Sequence, residues 1–252
     1  VSHLENVPSA GALARGYGKP LAVVCHNTHT QSFREMAGGC ELAVYNSNWM
    51  KREAELFFAE YPKGIRPERD VIVRPPVFAN EYRTKPGKKV TLVNLNLEKG
   101  GALFEKLARR MPDVEFLAVV GAYGEQVPGD LPNVTVLEHV PGDRMAELVY
   151  ARTRVLLMPS GYESWGRTAV EAMASGLPVV AHPTPGLSES LGEAGLFVDR
   201  ADTEAWAATL TKLTDGRTWK AASKRALARS KELDPSAELA AWCDAVEALP
   251  GR

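Results

Sequence analysis

Short runs rich in Val and Leu, apolar at consecutive positions, recur along the chain: LAVVC, LAVYN, VIVR, KVTLVNL, VEFLAVV, VTVL, RVLLM, LPVVA and GLFV. A strand with one face in water alternates apolar and polar residues; these runs do not alternate, so as strands they must be covered on both faces. Between most of them lie amphipathic stretches with helical spacing, NWMKREAELFFAE, GGALFEKLARRM, DRMAELVYAR and WGRTAVEAMAS. Strands separated by helices are joined by crossovers, which predicts an α/β chain built on mostly parallel sheet buried under helices. The final fifty residues read as two or three helices with no strand among them.

The pattern breaks at RPPVFANEYRTKPGKK, Arg74 to Lys89, which is proline-rich, charged and without periodicity, and reads as an interdomain linker. The expected organisation is an αβ domain over 1–80, a second over 81–235 and a closing helix in 236–252. From Val90 to about Asp199 the second domain carries six or so strands, a complete unit. The first supplies only three strands and one good helix, too little for a free-standing doubly wound sheet, so it is expected to be incomplete. Ser47 and Asn48 at the start of its helix are good N-caps.

With 45% hydrophobic and 24% charged residues the chain can bury a sizeable core, and its net charge of -1 gives no reason to expect nucleic acid or an acidic membrane as partner. Any anion must be held locally. Cys25, Cys40 and Cys243 are odd in number and without C-x-x-C pairing, which predicts reduced thiols, a cytoplasmic location and no zinc site. No apolar run approaches the length of a membrane-spanning helix.

In an open parallel sheet the ligand crevice lies beyond the carboxyl ends of the strands. PSGYESWG and AHPTPG both follow strand runs directly, so both belong at that edge. A helix from Trp165 to Ser175 would point its amino end into the crevice, where unpaired N–H groups and the positive dipole end favour a phosphate. Gly166 allows close backbone approach, and the Thr168 hydroxyl adds a donor. Glu163 precedes this helix and Glu171 lies about two turns into it. A glycosidase pair would need two carboxylates flanking one bond. Carboxylates set against a phosphate crevice are better suited to accepting hydrogen bonds from sugar hydroxyls.

The stretch PSGYESWGRTAVEAMASGLPVVAHPTPGLSESLGEAGLFVD, with LEKGG upstream, resembles the carboxyl-terminal donor domain of the retaining glycosyltransferases of family four, whose signature is Glu, seven residues, Glu. The resemblance implies a GT-B fold: a Rossmann-like parallel sheet in the carboxyl-terminal domain, an incomplete Rossmann-like acceptor-side domain before it, and carboxyl-terminal helices, the last crossing back to the first domain. It implies a nucleoside-diphosphate sugar, UDP- or GDP-linked, as donor substrate, with no cofactor and no metal. Glu163 would contact donor-sugar hydroxyls, Glu171 the nucleotide ribose, and the amides of Trp165, Gly166, Arg167 and Thr168, with the Thr168 hydroxyl, the diphosphate; Ser164 is a further donor-binding candidate. Lys99 matches the lysine that neutralises the diphosphate.

Five residues before Lys99 the family commonly has an arginine, and this chain has Asn94 there. Either Lys99 works alone, or Arg167 or Arg74 replaces the missing charge. The nucleobase would sit against backbone at His139 and Val140. In the first domain, LAVVCHNTH matches the end of a strand bearing a histidine that lies against the donor sugar, making His26 a catalytic candidate with Lys99 and Glu163; His29 is a weaker pocket candidate. The family's glycine-rich first loop has no match here, so an abbreviated member or a fragment is expected.

Rival classes leave marks that this chain lacks: no G-x-G-x-x-G follows any strand, GAYGEQ included, and there is no P-loop and no Asp-x-Asp. The expected activity is metal-independent sugar transfer to an unidentified acceptor. The alternatives are a non-catalytic nucleotide-sugar-binding module, or one part of a split enzyme whose partner chain supplies the missing strands; a homo-oligomer is also compatible.

Overall fold

A computed structural model describes residues 1–3 and 6–249, so the end of the segment expected to form the closing helix lies outside the described residues. The chain divides into two compact units, residues 1–76 with 235–252, and residues 77–234.

The first unit holds four parallel strands, β1 (Ser2–His3), β2 (Ala22–Cys25), β3 (Leu42–Tyr45) and β4 (Arg69–Ile72), in that spatial order. Helices α1 (Val7–Gly16), α2 (Thr30–Met36) and α3 (Asn48–Glu60) connect them. Three strands and one helix were expected here; β1, α1 and α2 are additional. They are short, and α2 buries only Phe33 and Met36, too few positions to show a helical period. Ser47 caps α3, its hydroxyl accepting the Met50 N–H at 3.1 Å, and Asn48 is the first helical residue. Alternate strand residues face opposite cores. Val23, Cys25, Ala43 and Tyr45 pack with residues of α1 to α3. Ala22, Leu42 and Val44 pack with Trp242 and Ala245, which belong to the last helix of the chain, Ser236–Glu247.

The second unit begins with a short helix, α4 (Ala79–Tyr82), inside the segment expected to be a linker. The boundary between the units, after Pro76, falls inside that segment, but the rest of it is not a bare connector, since Val77 and Tyr82 are 5% and 6% exposed and belong to the core of this unit. Two apolar anchors among charged residues carry no periodicity to read. Six parallel strands follow: β5 (Lys89–Val93), β6 (Phe116–Val119), β7 (Val134–Leu137), β8 (Thr153–Met158), β9 (Val179–Ala181) and β10 (Leu196–Phe197). Their spatial order is β10-β9-β8-β5-β6-β7. The helices are α5 (Gly101–Arg110), α6 (Met145–Leu148), α7 (Arg167–Ala174), α8 (Pro185–Leu191), α9 (Thr203–Lys212) and α10 (Gly216–Glu232), with α11 the closing helix already described.

The apolar-throughout runs are explained by this arrangement. Leu156 and Met158 face a core shared with α7, while Val155 and Leu157 face one shared with α5 and α9. The strand order reverses between β5 and β8, which opens a crevice at their carboxyl ends.

Candidate functional site

Two loops meet at that reversal. After β5, Asn94 to Gly100 form a tight turn in which the Asn96 side-chain oxygen accepts the Lys99 N–H at 2.7 Å. After β8, residues 159–166 run to α7, and Gly161 N–H donates to the Glu98 carbonyl at 3.3 Å, tying one loop to the other. The cleft between them is about 350 Å³, within the range of roughly 300–1,000 Å³ usual for small-molecule sites. No helix among the described residues is long and apolar enough to cross a membrane.

Helix α7 starts two residues later than the sequence pattern predicts. Gly166 adopts φ 85° and ψ 54°, a left-handed conformation that ends the preceding loop and cannot be part of a helix. A side chain here would also strike Leu187. Gly166, Arg167 and Thr168, at the start of the helix, therefore line the cleft. Helix α8 braces the loop from behind, because Gly186 lies so close that a Cβ would fall 2.2 Å from the Glu163 carbonyl oxygen.

Lys99 and Glu163 are brought together. The Lys99 ammonium donates to Glu163 Oε1 at 2.5 Å, and the Ser160 hydroxyl donates to the same oxygen at 2.8 Å. Both charged side chains are largely shielded, at 20% and 15% exposure. Ser160 was not singled out in the sequence, although its place three residues before Glu163 in the loop following a strand is a usable signal.

Asn94, His139, Val140, Gly166, Arg167 and Thr168 line the same cleft. Asn94 has φ 68°, its side-chain oxygen is buried without a hydrogen-bond partner, and it packs against Gly121. Gly121, Ala122 and Tyr123 form the wall beside His139 and Val140. Their loop is fixed by Gln126, whose side-chain oxygen accepts the Gly121 N–H at 2.9 Å.

Three predicted contacts do not reach the cleft wall. Trp165 is 2% exposed and packs in the core with Leu187, and Ser164 is likewise not among the lining residues. Glu171 lies behind the wall at 6% exposure. The Tyr150 hydroxyl donates to one of its oxygens at 2.6 Å and the Arg167 guanidinium pairs with the other at 2.9 Å. Burial raises the Glu171 carboxyl above its ordinary range, against the pull of these two partners. Of the two arginines weighed as replacements for a cation at position 94, Arg167 is on the cleft. Arg74 belongs to the first unit and pairs there with Glu238.

His26 follows β2 in the first unit and His29 precedes α2. The His26 ring meets His3 edge-on at 5.3 Å between centroids. Partial desolvation, and then the charge of His3, lower its pKa. Among the described residues no cluster of three or more His, Cys, Asp or Glu side chains is arranged to hold a metal. Cys25 and Cys40 are buried free thiols and Cys243 is an exposed one.

A six-stranded parallel unit with its cleft at the strand reversal, in one chain with a second parallel unit, is the α/β architecture of the GT-B glycosyltransferases. The fold matches that of HepE from Anabaena, solved in complex with UDP-glucose, with a TM-score of 0.79 at 18% identity over 96% of this chain and 76% of that one. Residues 101–215 match the family of glycosyl transferases group 1. It is 35% identical over 100 residues to the O-antigen chain mannosyltransferase B of Escherichia coli, covering 39% of this chain and 26% of that protein. It is 41% identical over 87 residues to the D-inositol 3-phosphate glycosyltransferase of Rhodococcus opacus strain B4, covering 34% of this chain and 19% of that protein. The matched stretches thus span about a quarter or less of these two relatives' lengths.

Proposed function

We propose that this chain binds a nucleoside-diphosphate sugar in its second unit and transfers the sugar, with retention and without a metal, to an acceptor. The observation that carries the reading is the Lys99–Glu163–Ser160 cluster facing the first turn of α7 at the strand reversal. A lysine and a set of helix-start amides opposite one another form a site for a diphosphate. A carboxylate one hydrogen bond away, with an oxygen to spare, accepts sugar hydroxyls.

In this reading the diphosphate lies between Lys99 and the Gly166–Thr168 backbone, the sugar reaches Glu163, and the base lies along His139 and Val140. As the glycosidic bond breaks, negative charge grows on the departing phosphate. The fixed Lys99 ammonium and backbone dipoles stabilise that charge more in the transition state than in the ground state. The departing phosphate takes the acceptor proton, so no protein base is required. The burial of Glu171 changes its proposed part: it acts on the ribose only through the groups it holds. The role of His26 rests on the family resemblance alone.

The test is to incubate the full chain with UDP- and GDP-sugars and follow nucleotide release with and without added acceptor. Release that is lost in Lys99→Ala supports transfer. Saturable donor binding without release under any acceptor identifies a binding module or one part of a split enzyme instead.

A further inference from the structure

The segment that enters the second unit is bonded to both ends of helix α7. At the amino end, the Arg167 guanidinium donates to the Tyr82 hydroxyl at 2.9 Å. At the carboxyl end, the Ser175 hydroxyl donates to the Tyr82 carbonyl at 2.7 Å and accepts the Thr84 N–H at 2.8 Å. The Tyr82 ring meets Tyr150 edge-on, 6.3 Å between centroids, and Tyr150 in turn holds Glu171.

Arg167 is thereby held from two sides, by a carboxylate at its Nε and a phenol at one terminal nitrogen, yet its side chain stays 52% exposed and lines the cleft with Lys99. A guanidinium has five N–H donors, and a fork with one edge fastened presents the rest in a fixed direction. Both groups that fasten Arg167 are deeply buried, Tyr82 and Glu171 each at 6% exposure, and Tyr150 behind Glu171 is 0% exposed. Orienting a cation at such a cost in desolvation makes sense where the cation has an anionic ligand to meet.

We propose that Tyr82 is a positioning residue for the donor: with Glu171 it aims Arg167 at the diphosphate as a second cation beside Lys99. The proposal rests on the donor reading above and deepens it. It assigns to a residue remote from the signature motif a part in recognising the phosphate portion of the ligand.

The experiment measures binding of UDP, GDP and uridine by calorimetry to the full chain and to Tyr82→Phe, Arg167→Gln and the double variant, with thermal midpoints alongside. Tyr82→Phe keeps the ring and its packing and removes only the hydroxyl. Arg167→Gln is expected to weaken the bound diphosphate roughly tenfold to a hundredfold, as loss of a charge-assisted contact does. Tyr82→Phe alone is expected to weaken it roughly threefold to tenfold, with uridine affinity unchanged, and to add nothing in the Arg167→Gln background.

A merely structural hydroxyl would lower the thermal midpoint and affect uridine and UDP alike, or cost the same with and without Arg167; either result overturns the proposal. A parent chain that binds neither UDP nor GDP overturns the donor reading and this inference together. Binding by the parent with no loss in Arg167→Gln overturns the inference alone.

Discussion

The Lys99–Glu163 pair makes opposite predictions for its two members. At 2.5 Å and an effective dielectric of about 20, their Coulomb attraction is about 7 kcal/mol before desolvation is subtracted. Both ends are mostly shielded, so removing one partner leaves the other poorly compensated, a cost of about 2–3 kcal/mol. In Lys99→Met that cost falls on stability, because Glu163 keeps only Ser160. The same change deletes the cation proposed to face the diphosphate, so on that reading UDP affinity should fall by roughly 30- to 150-fold, the equivalent of about 2–3 kcal/mol.

Glu163→Gln has the reverse effect on the nucleotide. It releases Lys99 from its counter-charge and removes a carboxylate that repels phosphate, so UDP should bind as tightly as in the parent or more tightly, while sugar transfer falls. Calorimetry with UDP and turnover with UDP-sugar separate the two. If Glu163→Gln weakened UDP as much as Lys99→Met did, Lys99 would not be shared between the glutamate and the phosphate, and the argument would be refuted.

A Cβ at position 121 would fall 1.8 Å from Asn94 Oδ1, so Gly121→Ala should cost about 1–3 kcal/mol in denaturant unfolding. Asn94→Gly, which also relieves a positive φ, should restore most of that loss. Tyr150→Phe leaves one Glu171 oxygen buried without its hydroxyl donor, and an equilibrium unfolding series should show a loss of about 1–3 kcal/mol. For His26 the folded pKa lies below the unfolded value of 6.5, so the unfolded chain binds the extra proton. Stability from this group is full above that unfolded value and declines as pH falls below it. His26→Gln should flatten the difference in unfolding midpoint between about pH 7.5 and about pH 5.5; an unchanged slope would place the titration elsewhere.

The strands of the second unit were legible because burial on both faces leaves uninterrupted apolar runs such as RVLLM, which supplies β8. The crevice was legible for the same reason, since loops that follow such runs fall at one edge. Lys99 and Glu163 could be assigned to one site, but not to one hydrogen bond, because their approach depends on the turn that Asn96 closes. Tyr82 was hidden. It lies in a proline-rich, charged stretch, and its burial comes from contact with Tyr150 and Ser175, more than sixty residues away in the chain. The burial of Glu171 was equally invisible, because a helix read by its period does not reveal that both of its faces are covered.

That double covering has a consequence for how the site can change. From Ala169 to Ala174 every residue of α7 is buried, so beyond its first two residues, Arg167 and Thr168, the helix offers no position at which a substitution is free of the core. Changes in what the cleft accepts would enter more readily at its rim, at Ala122 and Tyr123 or at Arg167 and Thr168, which line it outside that buried stretch. An evolutionary path, or an engineered library, that keeps Ala169 to Ala174 fixed and varies those rim positions would change the cleft with the least disturbance of the core.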